Sequence, residues 1–332
     1  MKVTYEEMYS EFVRVLKKYG LDEKKAALSA KLFADASLDG VYTHGLNRFP
    51  KFIKSVQNSS VCIGNEPVLV SAFGSIERWN GQKGPGNLNA YACMQRSIAL
   101  AKKYGSGCVA LSNTNHWMRP GAYGLMAAEA DCIGILWTNT VPNMPPWGGK
   151  DAKLGNNPLV VCIPHGDVPV LLDVAMSMYS YGKLELYQRQ GRQLPVDGGF
   201  DKDGNATRDP GKILETHQVF PIGYWKGSGL SLVLDLIAAV LSGGNTSCRV
   251  GKLPAETELS QVFITYDLAQ FPDRKEIDSK IDETLKDLKA SMPQNNEQPV
   301  RFPGEGLVSV REENRKNGIP VDEGIWASVK AM

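Results

Sequence analysis

The stretch CVALSNTNHWMRPGAYGLMAAEADCIGILWT, residues 108–138, decides the fold class. It begins with a short apolar strand at 108–112 and ends with a second strand, Cys132–Thr138. A polar loop and a helix predicted over 121–130 lie between the two strands. Strands that alternate with helices predict an α/β fold. Loops that join a strand to a helix often carry the functional residues of such folds.

The sequence on either side of this stretch extends the pattern. Thr4 and Glu7 form a capping box, and apolar residues at helical spacing predict three helices before residue 60. Two apolar runs at 159–164 and 168–174 flank a His-Gly-Asp turn and predict a hairpin. We therefore expect a helical unit at 1–60 that packs with the C-terminal helices, an α/β region at 61–300, and a C-terminal segment at 301–332.

Composition and charge exclude several classes of protein. The chain has 332 residues, of which 42% are hydrophobic, so disordered and fibrous classes are excluded. Its 37 basic and 36 acidic residues give a net charge of +1, which excludes the basic footprint of a nucleic-acid binder and a polybasic membrane patch. The N-terminus lacks the apolar core of a secretory signal, and six cysteines without CxxC spacing predict the reduced thiols of a cytoplasmic protein.

The longest apolar run lies at 229–241. It is shorter than the ~20 residues that a membrane span needs. Because the run is apolar on all sides, it predicts a central helix that is buried all round.

His44 and Arg48 stand four positions apart in THGLNRFP, residues 43–50. If Thr43 caps a helix, the two side chains share one face, although Pro50 favours a later helix start. An arginine fork matches a carboxylate, and a histidine can protonate an alkoxide near neutral pH. Reduction of a 2-keto acid needs that pair of groups. The alternative is a surface helix start that happens to carry both residues.

His116 lies in NTNHWMRPG, residues 113–121, in the loop between the first strand and its helix. Its Asn, His, Trp and Arg side chains suit a polyhydroxylated, anionic small molecule, whereas the alternative is a loop of ordinary turn formers. His165 is predicted to be solvated in the hairpin turn. His217 lies in a loop with no pattern of partners.

Three segments are candidates for holding a cofactor. One is the apolar strand 168–174, and another is the turn PGEG at 303–306. The third is GYWKGSG, residues 223–229, where the N-terminal N–H groups and dipole of the apolar helix would favour a phosphate. Each segment could equally be a plain strand, turn or helix cap. GPGNLN at 84–89 lacks the third glycine of a Rossmann fingerprint, and no metal-site, nucleophile-elbow or Walker pattern is present.

Seven separated blocks, in order along the chain, resemble the NAD(P)-dependent 2-hydroxy-acid oxidoreductases called the malate/L-lactate dehydrogenase type 2 family. The resemblance covers essentially the whole chain. The blocks are THGLNRFP (43–50), NTNHW (113–117), WGGKDAKLGNNPL (147–159), LLDVAMSMYSYGK (171–183), RQLPVDGGFD (192–201), GYWKGSGLSLVLD (223–235) and PGEG (303–306). Thr43 replaces the serine of many relatives but keeps the hydroxyl, and Glu305-Gly306 departs from the common pattern.

The resemblance implies a non-Rossmann NAD(P)-binding α/β fold with a mixed central sheet and an N-terminal helical unit. It also implies a homodimer, a proton donor at His44, and substrate contacts around Arg48 and His116, which complete the expected catalytic set. The expected cofactor-binding residues, which include Lys226 at the helix N-terminus, are Val168, Pro169, Val170, Leu171, Leu172, Asp173, Val174, Tyr224, Trp225, Lys226, Gly304, Glu305 and Gly306.

The blocks HWMR (116–119), MPPWG (144–148) and GYWKGSG most resemble family members that reduce a diketo sugar acid. We therefore expect NADH-dependent reduction of 2,3-diketo-L-gulonate to 3-dehydro-L-gulonate, with hydride going to the C2 ketone. The alternatives are a malate, lactate or ureidoglycolate dehydrogenase of the same family, or a non-catalytic sugar-acid binding protein. NADPH is expected to serve less well because Asp173 would repel its 2′-phosphate, although Lys183 and Lys226 keep that choice open.

Overall fold

The computed structural model describes residues 1–293 and 299–332 and has a mixed α/β architecture. Its strands are β1 (Lys2–Val3), β2 (Val68–Phe73), β3 (Ile76–Asn80), β4 (Ser106–Thr114), β5 (Cys132–Thr138), β6 (Leu159–Ile163), β7 (Val170–Val174), β8 (Gly199–Phe200), β9 (Ala206–Thr207), β10 (Leu259–Asp267) and β11 (Ile319–Pro320).

The helices surround this set of strands, and short 3₁₀ turns at Leu46–Arg48 and Leu268–Gln270 supplement them. They are α1 (Tyr5–Lys18), α2 (Glu23–Leu38), α3 (Phe49–Gln57), α4 (Gly86–Tyr104), α5 (Gly121–Glu129), α6 (Tyr181–Arg189), α7 (Pro210–Thr216), α8 (Trp225–Ser242), α9 (Ser247–Val250), α10 (Arg274–Lys289), α11 (Gly306–Asn317) and α12 (Glu323–Ala331).

A seven-stranded sheet in the order β2-β3-β4-β10-β5-β6-β7 forms the centre of the fold. Strands β3 and β4 are parallel and the other neighbours are antiparallel, so the sheet is mixed. The predicted fold class is therefore confirmed. The predicted hairpin of β6 and β7 is also present, and β7 is an edge strand, but the strand begins at Val170, which leaves Val168 and Pro169 in the turn before it.

Helices cover both faces of the sheet. Adjacent residues of β10 point to opposite faces, as in any strand. Phe263 joins the core under α4 and α5, while Val262 joins the core under α8. The stretch that decided the fold class thus lies at the centre, because β4 and β5 flank β10 and α5 connects them.

The first three helices share a core with the last one. Phe12 stacks on Phe49 with ring centroids 4.2 Å apart, and Phe33 meets Phe49 edge to face at 5.2 Å. Trp326 and Val329 of α12 belong to the same cluster. The predicted cap at Thr4 is confirmed, since its hydroxyl accepts the Glu7 N–H, and Asp22 caps α2 in the same way. The division into three units stays a prediction, and residues 294–298, which fall inside its middle unit, lie outside the described residues.

Helix α8 corrects one prediction. It is long and apolar enough to cross a membrane by composition alone, and it was expected to be buried on all sides. One face does dock on the sheet, where the Trp137 indole N–H donates to the Leu234 carbonyl at 2.9 Å and the Asn139 amide donates to Asp235 at 2.8 Å. The opposite face is exposed, with Val240 at 68% and Val233 at 49%. The periodicity of the sequence cannot distinguish an apolar face that meets the core from one that does not.

Candidate active site

A cavity of about 450 Å³ lies between α3, the loop that follows β4, and the segment before β10. Arg48 and Lys51 reach it from the start of α3, His116 from the loop, and Glu256 from the third element. The structure therefore brings together two of the predicted catalytic side chains at one opening. The third, His44, lies beside them, with its ring centroid 5.9 Å from that of His116 and the planes 18° apart.

His44 does not lie on a helix with Arg48, which corrects the predicted shared helical face. Pro50 occupies the first turn of α3, so the helix starts at Phe49 and the preceding residues form a turn and a 3₁₀ segment. The two side chains still converge because this turn folds the backbone sharply. The Thr43 hydroxyl meets the His44 Nδ1 at 3.0 Å, which leaves Nε2 free of that contact.

Close packing holds the Thr43–His44 turn in place. Gly182 at the start of α6 approaches so closely that a Cβ there would meet the Thr43 methyl at 2.9 Å. The hydroxyl of Ser37 accepts the N–H of Leu46 at 2.9 Å from inside the protein. The histidine therefore stands on a half-buried, hydrogen-bonded turn.

His116 has a defined tautomer. The backbone N–H of Met118 donates to its Nδ1 at 3.0 Å, so that nitrogen is unprotonated and Nε2 carries the hydrogen of the neutral ring. Met118 adopts a φ of +65°, a conformation unusual for a branched or long side chain, to direct its N–H at the ring. His116 can therefore donate a hydrogen bond from Nε2 while uncharged.

Burial governs the protonation of both histidines. Burial, and secondarily the positive Arg48, lowers the pKa of His44 from 6.5 to about 4. Burial also lowers the pKa of His116 well below its ordinary value, and Arg48, His44 and Lys51 add to that effect. Both rings are consequently neutral at pH 7 in the absence of a bound anion.

The Arg48 guanidinium makes no hydrogen bond with any residue in the described part of the chain. Its nearest acidic group is Glu256, 3.8 Å away, and less than a quarter of its side chain is exposed. Burial lowers the pKa of Arg48, while Glu256 and Glu185 raise it. A half-buried guanidinium with open donors beside a cavity can bind a carboxylate in the bidentate manner.

Asn115 and Met118 line the cavity beside His116, but Trp117 and Arg119 do not, contrary to the prediction that the loop's Asn, His, Trp and Arg side chains would together contact a ligand. Trp117 is 1% exposed and packs in the sheet core. Arg119 is 4% exposed and pairs with Asp39, which also pairs with Arg311 at 2.6 Å. Their role is to anchor the loop to α2 and α11. The Asn115 amide serves the same purpose by donating to the carbonyls of Lys83 and Gly84 at 2.8 and 3.0 Å.

Of the predicted cofactor segments, the 303–306 turn contacts β7, and the 223–229 turn follows a contact just beyond the end of that strand. The Leu171 N–H donates to the Pro303 carbonyl at 2.9 Å. Gly304 has a φ of +91°, and a Cβ at this position would lie only 2.9 Å from the Cβ of Leu171. Beyond the other end of the strand, Ile222 donates its N–H to Met176 at 2.8 Å and leads into Tyr224–Lys226. Segments that are distant in sequence thus lie close to β7 and the residues that follow it.

At the N-terminus of α8, where a phosphate site is predicted, two of the backbone donors already have acceptors within the protein. The N–H of Lys226 donates to the Gly223 carbonyl at 3.2 Å, and the N–H of Gly227 donates to the Ile222 carbonyl at 2.9 Å. The preceding turn therefore occupies backbone donors that were expected to hold a phosphate. The Lys226 side chain is exposed, with its ammonium 5.9 Å from the centroid of the Trp225 ring. The Lys226 ammonium is therefore a candidate for an anion contact at this helix start.

The remaining predicted residues take other positions. Asp173 accepts the N–H of Gly121, the first residue of α5, at 2.9 Å. Glu305 pairs with Lys289 at the end of α10. His165 was predicted to be solvated, but it contacts Asp282 of α10 at 2.7 Å through Nε2, because the hairpin turn lies against that helix. His217 ends α7 in a left-handed conformation, away from the cavity lining.

The sequence interpretation missed three charged residues of the cavity, Lys51, Lys54 and Glu256. Lys51 follows Arg48 by one helical turn, so its spacing was a usable signal. Glu256 is 208 positions from Arg48 along the chain, and no local pattern connects them. In the described residues, no group of three His, Cys, Asp or Glu side chains is arranged to bind a metal ion.

Comparison with known proteins gives consistent relatives. The sequence profile of the malate/L-lactate dehydrogenase family matches residues 3–330. A curated protein named 2,3-diketo-L-gulonate reductase, from Escherichia coli, is 44% identical over 333 residues, which covers 100% of both chains. The structure of sulfolactate dehydrogenase from Methanocaldococcus jannaschii has a TM-score of 0.91 at 30% identity, covering 100% of this chain and 96% of that one. That of malate dehydrogenase from Entamoeba histolytica has a TM-score of 0.93 at 26% identity, with the same coverage.

Proposed function

The chain belongs to the malate/L-lactate dehydrogenase family, and from that premise we propose that it is an NADH-dependent reductase of 2,3-diketo-L-gulonate. As a family member it is an oxidoreductase that acts on hydroxy or keto acids. The observation that carries the proposal is the open Arg48 guanidinium at a cavity that His116 lines and His44 adjoins. The full-length relatives at 44% identity support the choice of substrate.

In the proposed reaction Arg48 binds the C1 carboxylate of the substrate and places the C2 ketone near the two histidines. His116 is neutral, and its Nε2–H donates a hydrogen bond that orients and polarises the ketone oxygen. His44 supplies the proton that this oxygen takes up as the alcohol forms. Thr43 contacts Nδ1, so Nε2 of His44 is the nitrogen that transfers the proton.

The charge of the substrate prepares His44 for this role. Without ligand, its pKa of about 4 makes a protonated ring scarce at neutral pH. A carboxylate on Arg48 offsets the positive charge that lowers this pKa, so binding favours the protonated ring. Substrate binding and acid catalysis are coupled through one guanidinium.

A reduced nicotinamide, when bound, supplies the hydride for C2. The residues proposed to hold it are those along β7, together with Tyr224, Trp225 and the 304–306 turn. Gly304 permits close approach, and the exposed aromatic rings can pack against a flat ring system. We propose NADH as the preferred form because the Asp173 carboxylate disfavours a 2′-phosphate nearby, with NADPH used more weakly.

The proposal includes a homodimer in the cytoplasm. The exposed face of α8, with Val233, Leu236 and Val240, is a surface that a second copy can cover. Arg78 of β3 donates to the carbonyl of Val240 at 3.0 Å and ties this end of α8 to the β2–β3 edge, where Val70 is 62% exposed. The cytoplasmic location rests on the six free cysteines.

A substrate panel tests the proposal. The purified protein with NADH is mixed with 2,3-diketo-L-gulonate, pyruvate or oxaloacetate, and with NAD⁺ it is mixed with malate, lactate or ureidoglycolate. The nicotinamide absorbance reports turnover, and we expect the highest kcat/KM with 2,3-diketo-L-gulonate. A higher value for one of the other acids would assign the chain to that substrate, and binding of the sugar acid without any turnover would make it a non-catalytic protein.

A further inference from the structure

Glu256 occupies a fixed place in the cavity although it lies in a loop, between α9 and β10. Its Oε2 is 3.8 Å from a terminal nitrogen of Arg48, and its Oε1 accepts the N–H of Val141 at 3.3 Å. Only 23% of its side chain is exposed. A second element of the fold therefore holds this carboxylate beside the guanidinium.

The net charge of the side chains that line the cavity favours the binding of one anion. Glu256 is the one acidic side chain in the described lining, where Arg48 and Lys51 are its basic neighbours. It raises the pKa of Arg48 against burial, and that of Lys51 against the positive Arg48 and burial, as does Glu185 from α6. Lys54 is exposed at the opening. Apart from Lys54, the group of Arg48, Lys51 and Glu256 carries a single positive charge, which one carboxylate neutralises.

We infer that Glu256 determines specificity, selecting a keto acid with one carboxylate and an uncharged, hydroxyl-bearing tail and rejecting dicarboxylates. This inference rests on the proposed binding of the reacting carboxylate by Arg48. A hydroxyl on the tail donates a hydrogen bond to the Glu256 carboxylate. A second carboxylate on the tail meets a negative charge of the protein at that position, which is a repulsive element against the wrong substrate.

The variant Glu256→Gln removes the charge and keeps an acceptor for the Val141 N–H. Hydroxypyruvate, with a hydroxyl tail, and oxaloacetate, with a carboxylate tail, are the probes. We expect the variant to raise kcat/KM for oxaloacetate relative to hydroxypyruvate by about tenfold or more. The matched control is Glu258→Gln, because Glu258 contacts Asn245 at 3.3 Å and Lys83 at 3.6 Å and does not line the cavity. This control should leave the ratio within about twofold of wild type.

Binding measurements separate this inference from the proposed reaction. Calorimetry with L-glycerate and L-malate, without any nicotinamide, measures the affinity for each acid. In Glu256→Gln the affinity for L-malate should rise relative to that for L-glycerate. If 2,3-diketo-L-gulonate is not reduced but the malate-to-glycerate ratio shifts, the proposed function fails and the role of Glu256 stands. An unchanged ratio in a variant with wild-type melting temperature overturns the role of Glu256, as does failure of both acids to bind either protein at millimolar concentration.

Discussion

Thr43 and Met118 each hold one nitrogen of the two histidine rings. The Thr43 hydroxyl contacts Nδ1 of His44 at 3.0 Å, and the Met118 N–H donates to Nδ1 of His116 at 3.0 Å. Both contacts use Nδ1, so both Nε2 atoms are available to a ligand. Burial of the rings, and secondarily the positive Arg48, lowers both pKa values.

The first prediction concerns the proton donor. His44→Gln should reduce kcat by at least about 100-fold with little change in the KM for NADH, because a general acid is lost while the cofactor surface is intact. His116→Gln should instead raise the substrate KM as well as lower kcat. His165→Gln is the matched control, since that histidine contacts Asp282 outside the cavity. The reverse pattern, in which His116→Gln abolishes turnover and His44→Gln keeps it, would exchange the two roles.

The second prediction concerns pH. Reduction needs protonated His44, whose pKa in the free protein is about 4. The kcat/KM for reduction should therefore fall as pH rises above that value, whereas kcat should fall only at a higher pH, because the bound carboxylate offsets Arg48. Arg48→Met should raise the pKa of His44 in the free protein, because the positive charge that lowers it is removed. An NMR titration of the His44 ring can follow this change. A His44 pKa that does not rise in this variant would contradict the coupling.

At the scale of elements, β7 and α8 define the proposed cofactor surface. Strand β7 is the edge of the sheet, and its outer side receives the 303–306 turn instead of another strand. Helix α8 begins just beyond it, after a turn in which Tyr224 adopts a φ of +60°. This strained residue and the adjacent glycine direct the carbonyls of Ile222 and Gly223 back onto the first turn of the helix.

The third prediction follows from that turn. Since the backbone donors of Lys226 and Gly227 are already used, the Lys226 ammonium is the main group of this helix start that can meet a pyrophosphate. Lys226→Ala should raise the KM for NADH roughly tenfold to 100-fold with little change in kcat, the loss expected for one charge-assisted hydrogen bond. Lys252→Ala, at another exposed lysine, should change neither constant. A collapse of kcat with an unchanged cofactor KM would place Lys226 in the chemical step instead.

At the scale of the whole molecule, apolar surface is distributed unevenly. The N-terminal helices and α12 bury their apolar side chains against each other, so this unit supplies no exposed apolar face comparable with that of α8. The exposed residues of α8 stand at helical spacing on one side, opposite the residues that dock on the sheet. The case for a partner subunit therefore rests on α8 and β2.

The fourth prediction tests that surface. The double variant Leu236→Lys and Val240→Lys should sediment as a monomer at micromolar concentration, because two charges in an apolar interface disfavour association. Leu288→Lys on α10, which is also exposed, should leave the assembly unchanged. Sedimentation velocity on the wild type provides the reference, and a stable, active wild-type monomer at that concentration would overturn the homodimer.

The sequence by itself determined the features that depend on near neighbours along the chain. The strand Cys132–Thr138, the caps at Thr4 and Asp22, and the strand–loop–helix order around His116 all follow from periodicity and capping within a few residues. The candidate catalytic residues were also found in this way, because each occurs in a short motif.

Only the tertiary structure decided which side chains face the cavity and which face the core. Arg119 stands three residues from His116, yet it is buried against Asp39, 80 positions away. Glu256 lies beside Arg48 only because β10 inserts between β4 and β5. The exposed face of α8 has the same apolar composition as its buried face. Contacts between distant segments depend on how the sheet is ordered, and the order of strands in a sheet is not encoded in any local pattern of residues.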